Sequence, residues 1–336
     1  VRERGIGWHS ATHQAGTIAA VIINQSLVQE HDMEFGIIGL GRMGANMARR
    51  LGQHGAHIAL LNRSYDVTQE VAKETGHLAC ETLQQLVDAL ETPRIVWLML
   101  PAGDVTEAML QALGPILSPG DLVVDGGNSF YKDVQRRTAW LAEHKVEFCD
   151  VGVSGGVWGL EKGYCLMFGA SLEAAARLKP YMEKLAPAPD RGWLHCGMVG
   201  SGHFTKMVHN GIEYGMMQAL AEGFALMKNK PGFDLNVADI AELWRHSSVV
   251  QSWLLDLSAE FLAQDQTLEN IVPYVGDSGE GRWTALEGIE QGIPTPVMSL
   301  ALMMRFASQG KGDYVSKMLA KMRQGFGGHP VKEEGK

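Results

Sequence analysis

Lys206, His209, Asn210 and Glu213 stand at i, i+3, i+4 and i+7. In a helix that spacing puts a base, an imidazole, an amide and an acid on one face. The surrounding run, 204–227, has a long helical pattern, and such a polar stripe is costly within an apolar helix unless it is used or solvated. Two glycine-rich segments carry compatible groups: Asp125-Gly126-Gly127-Asn128-Ser129 and Val153-Ser154-Gly155-Gly156. Glycines there let backbone amides reach carboxylate or hydroxyl oxygens, while Asn128 and Ser154 supply side-chain partners.

A second constellation lies near the start. Gly39-Leu40-Gly41-Arg42-Met43-Gly44 follows an apolar strand pattern and opens an amphipathic helix. In such a GxGxxG turn the first glycine permits the tight bend. The second admits a pyrophosphate and the third allows close helix–strand packing, with N–H groups and positive potential at the helix start. The spacing predicts a dinucleotide site and a nicotinamide-dependent oxidoreductase. After the next strand, where enzymes using NAD usually carry an acid for the ribose 2′-hydroxyl, the chain has Asn62-Arg63-Ser64. Asn62 removes a carboxylate that would repel a 2′-phosphate, Arg63 can pair with that phosphate, and Ser64 adds a donor. NADP is therefore expected over NAD. A partly buried Lys206 near a cationic nicotinamide would have a lowered pKa and could act as a base.

These groups need a frame. Short apolar runs at 35–39, 58–61, 95–100, 122–125 and 148–151 alternate with helical patterns such as Met43, Met47, Ala48 and Leu51. Strands without polar alternation suit a parallel sheet buried on both faces, so the spacing predicts an α/β doubly wound Rossmann-type domain. Beyond about residue 200 strand signals stop. Helices are expected at 204–227, 237–245, 250–263, 283–291, 295–308 and 313–323, giving a second, all-helical domain. The division is 1–32 as an extension, 33–200 as the NADP-binding domain, and 201–330 as the substrate and oligomerisation domain with a C-terminal tail.

Composition bounds the partners. A net charge of −9 opposes an extended nucleic-acid surface, and no apolar run reaches the ~18 residues of a membrane span. The four cysteines form no CxxC pair and the twelve histidines no HExxH, so a reduced, cytoplasmic protein without a metal site is expected. Arg2 and Arg4 before the apolar 15–23 stretch resemble a poor signal peptide; residues 1–32 are expected to be dispensable and disordered.

Taken together, GLGRMG (39–44), NRS (62–64), DGGNSFYKD (125–133), SGG (154–156) and GSGHFTKMVHNGIEYG (200–215) resemble the 6-phosphogluconate dehydrogenase family. The resemblance runs from Met33 to about His329. It implies the decarboxylating reaction of the pentose phosphate pathway and of gluconate utilisation, with Lys206 as general base and Glu213 as general acid. Leu100, Pro101, Ala102 and Asn128 would join the 39–44 turn and 62–64 at the cofactor. Asn128, Ser154, Gly155, Gly156, His209, Asn210 and Tyr214 would hold a phosphosugar acid, and Arg305 its phosphate. Arg323 and His329, in the tail RQGFGGH, would complete a neighbouring subunit's site in a homo-oligomer, a dimer or tetramer. The length matches the family's short form, which the family suggests is tetrameric. The loop Asp277-Ser278-Gly279-Glu280-Gly281-Arg282 resembles a phosphate contact, yet has Ser278 where long forms carry Lys, and an acidic Glu280. The nearest alternative is a β-hydroxyacid dehydrogenase, which oxidises a hydroxyl without decarboxylation.

Overall fold

A computed structural model of the chain describes residues 35–327 and 329–332; the extension expected at 1–32 lies outside them. All five expected strands form: β1 (Phe35–Ile38), β2 (Ile58–Leu61), β4 (Ile95–Leu98), β5 (Leu122–Asp125) and β6 (Glu147–Ser154). Three more join them: β3 (Leu78–Ala79), β7 (Cys165–Gly169) and β8 (Trp193–Gly197). Periodicity missed these for physical reasons. β3 has only two residues and β8 is a half-exposed edge strand, while β7 is too short to be told from a buried helix segment.

The sheet order is β3-β2-β1-β4-β5-β6-β7-β8. All pairs are parallel except β6 with β7. Every residue of β1, β2, β4 and β5 is buried, as strands covered by helices on both faces require. Chain order reverses between β1 and β4, which opens a crevice at their C-terminal ends. Helix α1 (Arg42–Gln53) leaves that edge and buries Met47, Ala48 and Leu51. Burying Met47 and Leu51 contributes about 1.5–3 kcal/mol each, which holds the turn before α1 against the sheet.

Helix α8 (Ser201–Lys228) carries the polar stripe and starts three residues before the expected boundary. Gly200, at φ 102°, breaks the chain just before it. Its first half packs on β6 and β7, and two glycines permit the approach. A Cβ on Gly202 would meet the Asp150 carbonyl oxygen at 2.5 Å, and one on Gly152 would meet the Lys206 Cβ at 2.2 Å. Beyond it lie only helices among the described residues: α9 (Val237–Trp244), α10 (Trp253–Gln264), α11 (Glu280–Gln291), α12 (Pro296–Ser308) and α13 (Asp313–Gly327). Two of these starts differ by three residues from the sequence expectation. The Ser252 hydroxyl caps α10 by accepting from Leu255 N–H, so the helix begins at Trp253. Helix α11 begins at Glu280, three residues early. No helix among the described residues is long and apolar enough to cross a membrane.

Candidate active site

The three glycines of the first turn have distinct surroundings. Gly39 sits at φ 100°, and a Cβ there would lie 2.5 Å from the Met99 carbonyl oxygen. A Cβ on Gly44 would lie 2.0 Å from the Gly39 carbonyl oxygen, so α1 and β1 meet only because Gly44 has none. Gly41, by contrast, faces open space, with nothing within 4 Å. It precedes the first turn of α1, which no side chain caps. Uncapped N–H groups beside open space, at the positive end of a helix, fit the pyrophosphate of a dinucleotide.

Asn62 braces this turn: its Oδ1 accepts from Leu40 N–H at 3.1 Å. Its Nδ2 donates to the Ser64 carbonyl at 3.5 Å, so Leu40 and both ends of the Asn62 amide are employed structurally. Arg63 is exposed and has no hydrogen-bond or ion-pair partner among the described residues, so its guanidinium is available to an anion. The turn apart from Leu40, with Asn62, Arg63, Ser64, Leu100 and Pro101, lines one cavity of about 2230 Å³.

The same cavity is lined by Lys206, His209, Asn210 and Glu213 from α8, together with Asn128, Ser154, Gly155 and Gly156. Lys206 is only 9% exposed. Burial pushes its amine below the ordinary lysine range, against the opposing pull of Glu213, Glu280 and Cys165. Its Nζ donates to Asn210 Oδ1 at 2.7 Å, and His209 Nδ1 lies 3.0 Å from the same oxygen. Glu213 is half-buried, with Oε2 3.9 Å from His209 Nδ1, beyond hydrogen-bond reach. An amine biased toward its neutral form and a carboxyl group about two helical turns further on can accept and deliver protons in one cavity.

Beneath this face lies a charged cluster to which sequence reasoning assigned no role. Asp125, Asp150, Arg137 and His203 are all at most 2% exposed. Arg137 Nη1 donates to Asp125 Oδ2 at 2.8 Å, and His203 Nε2 lies 3.4 Å from that oxygen. Asp150 accepts from the backbone N–H of Gly200 and of His203, which ties β6 to the start of α8. Burial alone would lower the His203 pKa, but the Asp125 and Asp150 carboxylates outweigh it and raise the value.

Glu280 also joins the site, only 2% exposed and on the cavity wall. The loop spacing gave no sign of this, because burial depends on α11 docking against α8. Thr284 Oγ1 donates to the Met207 carbonyl at 2.9 Å. A Cβ on Gly211 would meet Thr284 at 2.6 Å, and one on Gly281 would meet the Tyr214 ring at 2.5 Å. Ser252, Trp253, Leu254 and Leu257, around the start of α10, complete the wall unannounced by any motif.

Six assigned residues do not line the cavity: Leu40, Ala102, Tyr214, Arg305, Arg323 and His329. Tyr214 is buried, with its hydroxyl 3.5 Å from Ser278 Oγ and the Arg305 guanidinium 3.3 Å from its ring centroid. Arg305 Nη1 also donates to the Gly276 carbonyl at 2.8 Å. Arg323 and His329 are exposed at the C-terminal end. Among the described residues no group of three or more His, Cys, Asp or Glu could hold a metal ion.

Known proteins share this arrangement. Residues 34–200 match the NAD binding domain of 6-phosphogluconate dehydrogenase, and residues 202–333 match the C-terminal domain of 6-phosphogluconate dehydrogenase. An NAD(+)-dependent, decarboxylating 6-phosphogluconate dehydrogenase of Haloferax volcanii is 37% identical over 300 residues, covering 89% of this chain and 98% of that protein. The NADP(+)-dependent enzyme of Bacillus subtilis is 35% identical over 294 residues, 84% of this chain, but the chain spans only 62% of its length. The Plasmodium falciparum 6-phosphogluconate dehydrogenase, solved in its apo form and with NADP+ and 6-phosphogluconate, superposes with a TM-score of 0.77 at 31% identity, covering 90% of this chain and 67% of that one. A 3-hydroxyisobutyrate dehydrogenase of Salmonella typhimurium, at 20% identity and TM-score 0.69 over 84% of this chain and 95% of its own, shares the fold. With both domains matched in order along nearly all the described residues, the chain belongs to the 6-phosphogluconate dehydrogenase family.

Proposed function

We propose that this chain catalyses the oxidative decarboxylation of 6-phospho-D-gluconate to D-ribulose 5-phosphate and carbon dioxide, with reduction of NADP. One observation carries the reading: Lys206 and Glu213 face the same cavity as the uncapped, glycine-rich start of α1. When bound, NADP supplies the hydride acceptor for C3. Neutral Lys206, steadied by Asn210, takes the proton of the C3 hydroxyl. The resulting ketone lies β to the carboxylate, so it accepts the electron pair released when the bond to carbon dioxide breaks. Glu213 then delivers a proton to the carbon that becomes C1 of the product. Ser154, Gly155, Gly156, Asn128, His209 and Asn210 would bind the sugar acid.

NADP is preferred over NAD in this reading because Arg63 lines the cavity as a cation with no partner among the described residues. Tyr214 and Arg305 would serve the substrate phosphate, and Arg323 and His329 would complete a neighbouring subunit's site. The homo-oligomer this needs is supported by α13, where Tyr314, Val315, Met318, Leu319 and Met322 form an exposed apolar stripe. The division into an NADP-binding part up to residue 200 and a helical substrate part beyond it belongs to the same proposal. So does a cytoplasmic place in the pentose phosphate pathway and gluconate utilisation.

The test assays 6-phosphogluconate and gluconate, each with NADP and NAD, following reduced cofactor and carbon dioxide together. Equal yields of NADPH and carbon dioxide from 6-phosphogluconate are expected, with Arg63→Ala erasing the preference for NADP. Reduced cofactor without carbon dioxide would make the enzyme a β-hydroxyacid dehydrogenase. Equal use of gluconate would remove the phosphate from recognition.

A further inference from the structure

We propose that Glu280 is a positioning residue for Lys206, holding the side-chain amides of Asn210 and Asn128 in the one orientation that serves the base. The inference rests on the reading of Lys206 as the proton acceptor. Glu280 Oε1 accepts from Asn210 Nδ2 at 3.0 Å and also from Asn128 Nδ2. One oxygen thus joins α11, α8 and the segment after β5. Its second oxygen is buried with no hydrogen-bond partner among the described residues, so the carboxylate's polar contacts run through these two amides alone.

Chemistry fixes the direction of both amides. A carboxylate only accepts and an ammonium only donates, so Asn210 turns its nitrogen to Glu280 and its oxygen to Lys206, at 2.7 Å. A neutral amine has two N–H bonds and one lone pair. With one N–H engaged by Asn210, the amine cannot rotate freely, and its lone pair is restricted to the two remaining staggered positions. Asn128 is pinned in the same way, which leaves its Oδ1 as the atom it offers to a ligand, an acceptor suited to a hydroxyl or a carboxamide N–H. Glu280 can do this because α11 starts there, where a carboxylate is favoured by the helix dipole. Gly211 and Gly281 let α11 close onto α8.

The titratable groups facing Lys206 among the described residues are His209 and Glu213 on its own helix, Glu280 on α11 and Cys165 on β7. Glu280→Gln keeps an accepting oxygen for both amides while removing the charge; Glu280→Ala removes both. In the 336-residue chain, Glu280→Ala should lower kcat by about 10- to 100-fold, the scale of a misaligned catalytic group. Glu280→Gln should restore most of the plateau kcat. Because the negative charge that favours protonated Lys206 is gone, its rising pH limb should move to lower pH.

Competitive acetylation of Lys206 by acetic anhydride, read by mass spectrometry across pH, tests the same point without turnover. Its midpoint should also fall in Glu280→Gln. An unchanged midpoint, or wild-type kcat in Glu280→Ala, overturns the proposal for Glu280. A wild-type protein that makes no NADPH from 6-phosphogluconate sinks the proposed function instead, and the acetylation result still decides on Glu280.

Discussion

The 39–44 end of the cavity offers backbone amides and open space, whereas the α8 end offers the ionisable side chains of Lys206 and Glu280, largely removed from water. The first end is assembled from six consecutive residues and braced from the end of β2, where the Leu61 carbonyl accepts from Gly39 N–H and Asn62 Oδ1 from Leu40 N–H. The second draws Asn128, Lys206, Asn210 and Glu280 from positions up to 152 residues apart. Backbone recognition needs little beyond correct geometry, so a short motif can encode it. A base with a lowered pKa needs desolvation, and desolvation needs a tertiary neighbourhood.

The contrast breaks most visibly at Lys206. Lys206→Ala should cost turnover about 10²–10⁴-fold, the usual contribution of a general base, while NADP binding measured by tryptophan fluorescence stays near wild type. Activity in the wild type should fall as pH drops, because Lys206 must be neutral to accept a proton and burial sets that transition below the ordinary lysine range. A variant that keeps its turnover, or loses NADP binding with it, would merge the two ends into one.

Legibility follows the same division. GxGxxG, the Asn62-Arg63-Ser64 step and the i, i+3, i+4, i+7 stripe are local patterns, and all their residues but Leu40 reach one cavity. Glu280 was legible only as an oddity. With the helix expected from residue 283, it reads as an acid out of place in a loop that resembles a phosphate contact, whereas α11 starts at Glu280 and packs on α8 close enough to bury it. His203 stands three residues before Lys206, where the i, i+3 spacing would extend the same stripe. Nothing in the sequence says that it meets Asp125 and Asp150 instead of lining the cavity. Likewise β7 and β8, which seat α8, give too little periodicity to find.

The buried cluster supplies the next test of that difference. His203→Ala removes one partner of a buried ion pair and leaves Asp125 less compensated, a loss of about 3–5 kcal/mol. The sign of its pH dependence follows from the raised pKa of His203. Its stabilisation is fully present below the unfolded histidine value, about 6.5, and is lost as pH rises through the folded value. Urea denaturation of wild type and variant at pH 6 and pH 9 should therefore give a gap that narrows with pH. A gap that stays constant would mean that His203 acts by packing alone.

The smallest effect is the sharpest probe of the open end. Gly44→Ala forces a Cβ against the Gly39 carbonyl, 2.0 Å away, and should destabilise the fold by about 1–3 kcal/mol. Gly41→Ala meets nothing within 4 Å and sits at φ −64°, where alanine is at ease. Its stability should stay within about 0.5 kcal/mol of wild type, yet its Cβ enters the space assigned to the pyrophosphate, so NADP should bind more weakly. Thermal denaturation and a fluorescence titration separate the two quantities. If Gly41→Ala binds NADP as the wild type does, the open space at Gly41 is not where the phosphates lie. The glycine turn would then be a folding device, and the two ends of the cavity would differ only in which of them does chemistry.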